Sequence, residues 1–279
     1  MKNKPFNYLT VFFLLFSNVV LPFIIPAFSN EQSEGISLVS QGMFKEARGE
    51  FNKALDANHS DSLSKGALGI LDDFDSGKVK RECLLFLFKG LGLLMENSPE
   101  QAIVELKLAE KAAPEYPRTH NILGMAYTIL GSFNDAEIQF KEAIKLQPEY
   151  SQAYFNLGTF YQSQGKNAQA LERYEKAAQL DPKSVDTYMN IGYIHAAEGR
   201  YDKAILYFQK VLSLDFHSAD AYYKLGMAYF MSDQYLRSRE NFIKAKEIFQ
   251  QKNDQEGIIN TDKYLDKFFE LEKKWKAKG

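Results

Sequence analysis

The sequence predicts an all-α fold in which helix pairs stack into a solenoid, and three observations support this. Glycine recurs every 34 residues, at Gly90, Gly124, Gly158, Gly192 and Gly226. A small residue keeps the same interval at Ala102, Ala136, Ala170, Ala204 and Ser238, and a large apolar residue does so at Leu106, Phe140, Tyr174, Phe208 and Phe242. A period of roughly 20 to 50 residues is typical of solenoids, in which stacked neighbours bury each other's apolar faces.

Each repeat is predicted to contain two amphipathic helices. In the repeat at 151–184, residues at helical spacing form two stripes, Tyr154, Leu157, Gly158 and Tyr161, then Ala170, Tyr174, Ala177 and Ala178. Gly165 is predicted to separate the helices, and Asp181 to cap the next helix, with Pro182 in its first turn. A glycine inside a helix costs about 1 kcal/mol relative to alanine. We therefore expect a neighbouring helix to pack on this bare backbone, with the alanine of the second helix facing the glycine.

The residues at these offsets resemble the tetratricopeptide repeat, whose helix-turn-helix unit has the same length. The resemblance implies a right-handed superhelix of antiparallel helix pairs over residues 30–252. The repeats at 117–150, 151–184, 185–218 and 219–252 match well, 83–116 matches weakly, and 28–61 is recognisable from Gly42, Phe44, Ala47, Phe51 and Ala54. An insertion at 62–82 shifts the register by 21 residues. We expect it to contain one extra helix near residues 63–73.

The amino-terminal residues indicate export. Two lysines precede a stretch from Pro5 to Asn30 without a charged residue, and Ala27 and Ser29 are the small residues that an export peptidase prefers. We interpret residues 1–29 as a secretory signal peptide, which predicts a periplasmic or secreted protein. The alternative is a retained membrane anchor, because the apolar stretch 8–27 is long enough to span a bilayer. Both interpretations place the rest of the chain outside the cytoplasm.

Residues 253–279 do not continue the repeat. Their apolar positions, among them Ile258, Tyr264, Leu265 and Phe268, predict one longer helix that caps the exposed end of the stack. The lysines around Trp275 are interpreted as solvated cations in the last helical turn, with a membrane-surface patch as the alternative.

Composition and motifs argue against nucleic-acid binding and catalysis. The formal net charge of −2 gives no electrostatic footprint for nucleic acid. The sequence has no phosphate-binding loop, dinucleotide-binding glycine motif, serine elbow, HExxH or CxxC motif. The histidines occupy repeat positions or turns between repeats. The single cysteine, Cys83, is interpreted as a buried apolar residue. Asp72 and Asp73 are interpreted as a solvated turn. The sequence therefore predicts no enzyme, cofactor or metal site.

Positions that vary between repeats are candidates for ligand contact, because the resemblance implies that the first helices line a concave face. The predicted peptide-binding residues are Asn121, Met125, Phe155, Asn156, Met189, Asn190, Tyr193, Tyr223, Lys224 and Met227, with Arg118, Thr128, Gln152, Thr159 and Phe230 on the same faces. Aromatic, methionine and amide side chains suit an extended or helical peptide. The alternative is that they only pack between neighbouring first helices.

Three of these positions resemble the asparagine ladder that some peptide-binding members of the family carry. Asn156 and Asn190 lie 34 residues apart, and Lys224 follows at the same interval. The ladder is short, because Ile122 occupies the equivalent place one repeat earlier.

We therefore predict an exported, non-catalytic scaffold that binds a protein or peptide and serves the assembly of an envelope or secreted complex. It contacts a membrane only through its leader, if that is retained. One alternative is a structural spacer that assembles with copies of itself into a homo-oligomer. Another is an accessory arm of a transferase complex whose catalytic domain belongs to another chain, since the 27 residues after 252 are too few to form one.

Overall fold

The computed structural model describes residues 29–58 and 61–276, which form fourteen α-helices and no strand. The chain divides into an N-terminal unit that ends at Leu180 and a C-terminal unit that begins at Asp181. The N-terminal unit contains α1 (Asn30–Ser40), α2 (Phe44–Ala57), α3 (Ser62–Asp75), α4 (Arg81–Met95), α5 (Pro99–Ala112), α6 (Pro117–Leu130), α7 (Phe133–Leu146), α8 (Ser151–Ser163) and α9 (Asn167–Leu180). The C-terminal unit contains α10 (Val185–Ala197), α11 (Tyr201–Leu214), α12 (Ala219–Met231), α13 (Tyr235–Gln251) and α14 (Gln255–Lys276). The predicted all-α class is confirmed.

The predicted leader, apart from Ser29, lies outside the described residues. Ser29 is the N-cap of α1: its hydroxyl accepts a hydrogen bond from the Gln32 amide at 3.3 Å, and the Gln32 side chain accepts one from the Ser29 amide at 2.8 Å. This reciprocal arrangement is a capping box. None of the helices in the described ranges combines the length and the hydropathy that crossing a membrane requires.

Six helix pairs share one packing contact, which explains the periodic glycine. In each pair a large side chain of the second helix, sixteen residues later, covers the glycine of the first: Gly35–Phe51, Gly90–Leu106, Gly124–Phe140, Gly158–Tyr174, Gly192–Phe208 and Gly226–Phe242. A Cβ built on these glycines would lie between 2.6 and 3.1 Å from that side chain. The expected close helix packing is confirmed, and the small residue of the second helix does face the glycine, as where the Ser238 hydroxyl donates to the Gly226 carbonyl oxygen at 2.7 Å. The aromatic ring or leucine makes the nearest contact in each pair. Gly35, at the same repeat position in the first pair, was not predicted.

The start of α10 also differs from the prediction, since Asp181 and Pro182 precede the helix. The Asp181 carboxylate accepts a hydrogen bond from the Lys183 amide at 3.1 Å, which makes a local turn. The helix begins at Val185, three residues after the predicted start at Pro182. The Ser184 hydroxyl caps it by accepting a hydrogen bond from the Thr187 amide at 3.3 Å. The capping residue is therefore Ser184, and Asp181 shapes the turn before it.

The insertion forms the single helix α3, and contacts at both of its ends fix it in place. Asp61 caps its start and accepts a hydrogen bond from the Gln32 side chain at 2.7 Å. Near its end, the Arg48 guanidinium donates to the carboxylates of Asp72 and Asp75, each at 2.6 Å. The expected solvated turn at Asp72 and Asp73 is wrong, because both lie inside α3 and the Asp73 side chain is only 13% exposed.

In the C-terminal unit, α14 packs against α13. The Tyr264 ring stacks on the Phe242 ring with centroids 4.7 Å apart, and Phe268 contacts the same ring at 6.3 Å. The Lys246 ammonium pairs with the Asp262 carboxylate at 2.6 Å between the two helices. Phe242 is fully buried as a result, as the prediction of a capping helix requires.

Candidate functional site

The N-terminal unit contains an open groove with a cavity volume of about 160 Å³. The floor and one side come from α6 and α8, and Leu91 and Leu94 come from α4. The extra helix α3 supplies the other side through Leu63, Gly66, Ala67 and Ile70. The groove therefore combines first helices of the repeats with the one helix that does not belong to a repeat.

Four of the predicted peptide-binding residues line this groove together: Asn121, Met125, Phe155 and Asn156. Arg118, Thr128, Gln152 and Thr159, which were assigned to the same faces, line it as well. The structure thus brings the predicted positions of two neighbouring repeats into one concave surface.

The amides of the groove form a hydrogen-bonded chain. The Asn156 amide nitrogen donates to Asn121 Oδ1 at 3.0 Å and contacts Met125 Sδ at 3.4 Å, while Asn156 Oδ1 accepts from Gln152 Nε2 at 3.0 Å. Asn121 is only 3% exposed and contacts the Tyr150 hydroxyl at 3.5 Å. Asn121 therefore fits the alternative of packing between first helices, whereas Gln152 and Asn156 are half-buried at the groove surface. The partner of Asn156 is Asn121, one position before the ladder position that Ile122 occupies.

An ion pair at the base of the groove joins α3 to α6. Arg118 Nε donates to Asp73 Oδ2 at 2.8 Å, and the Tyr116 hydroxyl donates to the same oxygen at 2.9 Å. Desolvation acts to raise the pKa of Asp73, but these hydrogen bonds outweigh it, so the pKa lies below its ordinary value and the carboxylate stays ionised. The guanidinium also lies over the Tyr150 ring, 5.3 Å from its centroid. The charge of Arg118 is thus matched by Asp73.

The remaining predicted residues lie in the C-terminal unit: Met189, Asn190, Tyr193, Tyr223, Lys224 and Met227. The Lys224 ammonium lies 4.8 Å from the centroid of Tyr193 and 5.3 Å from that of Tyr223, which are cation–π distances. Asn190 is only 2% exposed, and Tyr223 and Met227 pack against the buried rings of Phe242 and Tyr264. Burial favours the packing alternative for Asn190, and the ring contacts favour it for Tyr223 and Met227.

Sequence reasoning missed the contribution of α3 and of Tyr150 to the groove. The signal for α3 was present, because Leu63, Ala67 and Ile70 recur at i, i+4 and i+7 and mark one apolar helix face. This face belongs to no repeat, so no periodic pattern indicated which residues it packs against. Tyr150 is the last residue of the repeat at 117–150 and was not among the predicted first-helix positions.

The buried titratable groups outside the groove have structural partners. The ring nitrogens of His120 lie 2.7 Å from the Pro114 carbonyl oxygen and 2.8 Å from Gln139 Oε1. Cys83 is fully buried, and desolvation raises the pKa of its thiol to about 11. In the described part of the chain, no group of three or more His, Cys, Asp and Glu is placed to hold a metal ion.

Comparison with known proteins identifies the repeats. Two tetratricopeptide repeat models match the chain, one at residues 117–150 and the other at 149–215. Residues 117–215 are therefore tetratricopeptide repeats. Such a scaffold serves protein–protein interaction. A search of curated proteins finds no match.

Solved structures of tetratricopeptide repeat proteins share this fold. A crystal structure of MamA is 27% identical and covers 59% of this chain and 96% of its own, with a TM-score of 0.54. YrrB, described as a tetratricopeptide repeat protein with an unusual peptide-binding site, is 21% identical over 76% of this chain and 97% of its own, with a TM-score of 0.51. PilF of Pseudomonas aeruginosa is 18% identical over 71% and 98%, with a TM-score of 0.56. The similarity to YrrB and PilF, both less than 25% identical to this chain, shows a shared fold only.

Proposed function

We propose that this chain is an exported, non-catalytic scaffold that binds a peptide segment of a partner protein in the groove of the N-terminal unit. The observation that carries the proposal is the convergence of Asn121, Met125, Phe155 and Asn156, chosen from the sequence, on one open concave surface. A scaffold of this kind fits the assembly of an envelope or secreted complex.

The groove has the chemistry that peptide recognition needs. Gln152 uses one amide hydrogen to bond Asn156, which leaves its carbonyl oxygen and a second hydrogen for a peptide backbone. Phe155 offers an aromatic surface, and the flexible Met125 adapts to different side chains. Because Asn121 holds Asn156 at 3.0 Å, these polar groups are already oriented before a ligand arrives.

Photo-crosslinking in the native host tests this site. A photoreactive phenylalanine analogue at position 155 is expected to capture the partner protein, because the side chain lines the groove. The matched control is the same analogue at Lys145, whose side chain is 75% exposed on the second helix of a repeat and does not line the groove. Equal capture from both positions, or capture from Lys145 alone, would place binding outside the groove.

With a peptide from the captured protein, Asn156→Ala is expected to weaken binding by roughly 1–3 kcal/mol, because partner groups in the groove lose a hydrogen bond. Isothermal titration should be paired with thermal melting. If the change lowers the melting midpoint and affinity falls only with the folded fraction, Asn156 is a packing residue and the groove assignment fails.

Export rests on the leader, which intact-mass measurement tests. We expect the mature protein to begin near Asn30. Cleavage after Ser29 removes the side chain that caps α1, and loss of such a cap costs about 1 kcal/mol, so a mature end one or two residues earlier keeps the helix start intact. A mass that includes Met1 to Asn30 would contradict cleavage and favour the membrane anchor.

One observation favours self-association as a second function. Val104 and Ile138 in the N-terminal unit occupy the same repeat position on second helices, and both are 61% exposed. Exposed apolar patches mark interaction surfaces. Sedimentation showing a monomer at high protein concentration would remove this candidate.

A further inference from the structure

The extra helix α3 is the part of the groove that no repeat provides. Leu63 and Gly66 are half-buried where they line the groove, Ala67 and Ile70 line it from the buried core, and the charged residues Lys65, Asp72 and Asp75 lie exposed elsewhere. Leu63 and Gly66 are therefore the part of the apolar helix face that a ligand can contact.

This wall is held rigidly. The Gln32 contact with Asp61 fixes the start of α3, and the pairing of Arg118 with Asp73 fixes its end against α6. Phe74 also packs edge-on against the Phe44 ring of α2, with centroids 5.0 Å apart. A wall fixed at both ends sets the shape of the groove before a ligand binds, which favours selectivity over adaptability.

The electrostatics of the groove select an uncharged ligand. Among the described residues that line it, none is acidic and the one cation is Arg118, which pairs with Asp73 at 2.8 Å, a carboxylate that Lys78 also contacts at 3.2 Å. A charged ligand side chain would therefore lose its hydration without gaining an ionic partner, while the apolar lining rewards an apolar one. The spare amide groups of Gln152 suit the backbone of such a segment.

Gly66 adds a recess in this wall. A Cβ built on Gly66 meets no atom within 4 Å, whereas at Gly69, one turn further along α3, it would lie 2.6 Å from the Arg118 guanidinium. Gly49 on α2 is equally open, but it is exposed and does not line the groove. The open position at Gly66 therefore faces the space where a ligand would lie.

We infer that α3 is the specificity wall of the groove, that its ligand is an uncharged, apolar peptide segment, and that one ligand side chain enters the recess at Gly66. This inference rests on the proposed function, since it names the ligand class and the selective wall of the same groove. The ligand contacts α3 on one side and Phe155 and Asn156 on the other.

A phage-displayed library of short random peptides, selected on the full chain as its host processes it, tests the inference. Enriched peptides are expected to be rich in apolar residues and poor in Lys, Arg, Asp and Glu. Gly66→Phe should weaken their binding by about tenfold or more, because the new ring occupies the recess. The matched control Gly49→Phe adds the same ring to an equally open helical glycine outside the groove and should leave binding unchanged. Neither change should lower the melting temperature, since phenylalanine has a higher helix propensity than glycine.

The outcomes separate this inference from the proposed function. Loss of binding with Phe155→Ala but not with Gly66→Phe would overturn the specificity wall and leave the groove in place. If neither change affects binding, both the specificity wall and the proposed peptide-binding function of the groove are overturned. Enrichment of charged peptides, or of none, would overturn the ligand class.

Discussion

Deletion of residues 253–279 is expected to destabilise the C-terminal unit and to cause the chain to associate. The deletion removes α14, whose Tyr264 and Phe268 rings cover Phe242, a residue that is fully buried in the intact chain. Truncation of one buried phenylalanine typically costs about 3–5 kcal/mol, so removing this cover should cost at least as much. The rings of Phe230 and Tyr223, which contact Tyr264 at 5.9 and 6.0 Å, would also be exposed to water.

Thermal melting by circular dichroism and sedimentation velocity measure the two effects. Two point changes in α14 separate loss of cover from loss of chain length. Tyr264→Ala removes the stacked ring and should lower the melting midpoint. Lys263→Ala, at the adjacent exposed position, removes only a surface contact with Asn260 and should have little effect. An unchanged midpoint and a clean monomer after the deletion would show that α14 does not protect the unit.

The repeats were predictable because each of their features occurs at the same position in several repeats. A glycine, a small residue and a large apolar residue kept their 34-residue interval through five repeats, so chance agreement at one position could not mislead. What periodicity could not reveal was which side chain fills the space beside the glycine. Alanine and the aromatic residue share the same helix, and only the packing geometry distinguishes them, as at Gly158, where the Tyr174 ring makes the contact.

The groove was predictable only where it coincides with the repeat. Asn121, Met125, Phe155 and Asn156 were identified as variable positions on first helices, and they line one surface. The opposite wall comes from α3, which occurs once, so no repetition indicated its place. The ion pair that fixes it joins Asp73 to Arg118, 45 residues away in sequence, and such a pairing has no local signature.

Burial decided between alternatives that the sequence left open. Asn156 and Asn190 occupy equivalent repeat positions, yet Asn156 is half-buried in the groove and Asn190 is 2% exposed. The identity of neighbouring side chains sets this difference, because a repeat position determines the helix face but not how far its neighbours cover it. A ladder drawn from sequence alone therefore treats as equivalent two amides with different access to a ligand.

The periodic glycines should differ in how well they tolerate a methyl group, and Gly192 and Gly226 provide the comparison. At Gly192 a Cβ would lie 2.6 Å from the Phe208 ring, closer than real Cβ contacts, whereas at Gly226 the nearest atom of Phe242 lies at 3.1 Å. Gly192→Ala is therefore expected to destabilise the chain by about 1–3 kcal/mol, since the buried ring has to move. Gly226→Ala requires a smaller shift and should cost less.

Helix propensity acts in the opposite direction, and Gly66→Ala measures it. Alanine is favoured over glycine inside a helix by about 1 kcal/mol, and Gly66 has no atom within 4 Å of the new methyl group, so this change should stabilise the chain. Chemical denaturation of the three variants gives the free energies of unfolding. The expected order of stability, from the most to the least stable variant, is Gly66→Ala, then Gly226→Ala, then Gly192→Ala.

Combining Gly192→Ala with Phe208→Ala should cost less than the sum of the two changes, because the smaller side chain leaves room for the methyl group. Equal effects at all three glycines, or additive costs in the double variant, would mean that the ring at Phe208 does not determine the requirement for glycine at position 192.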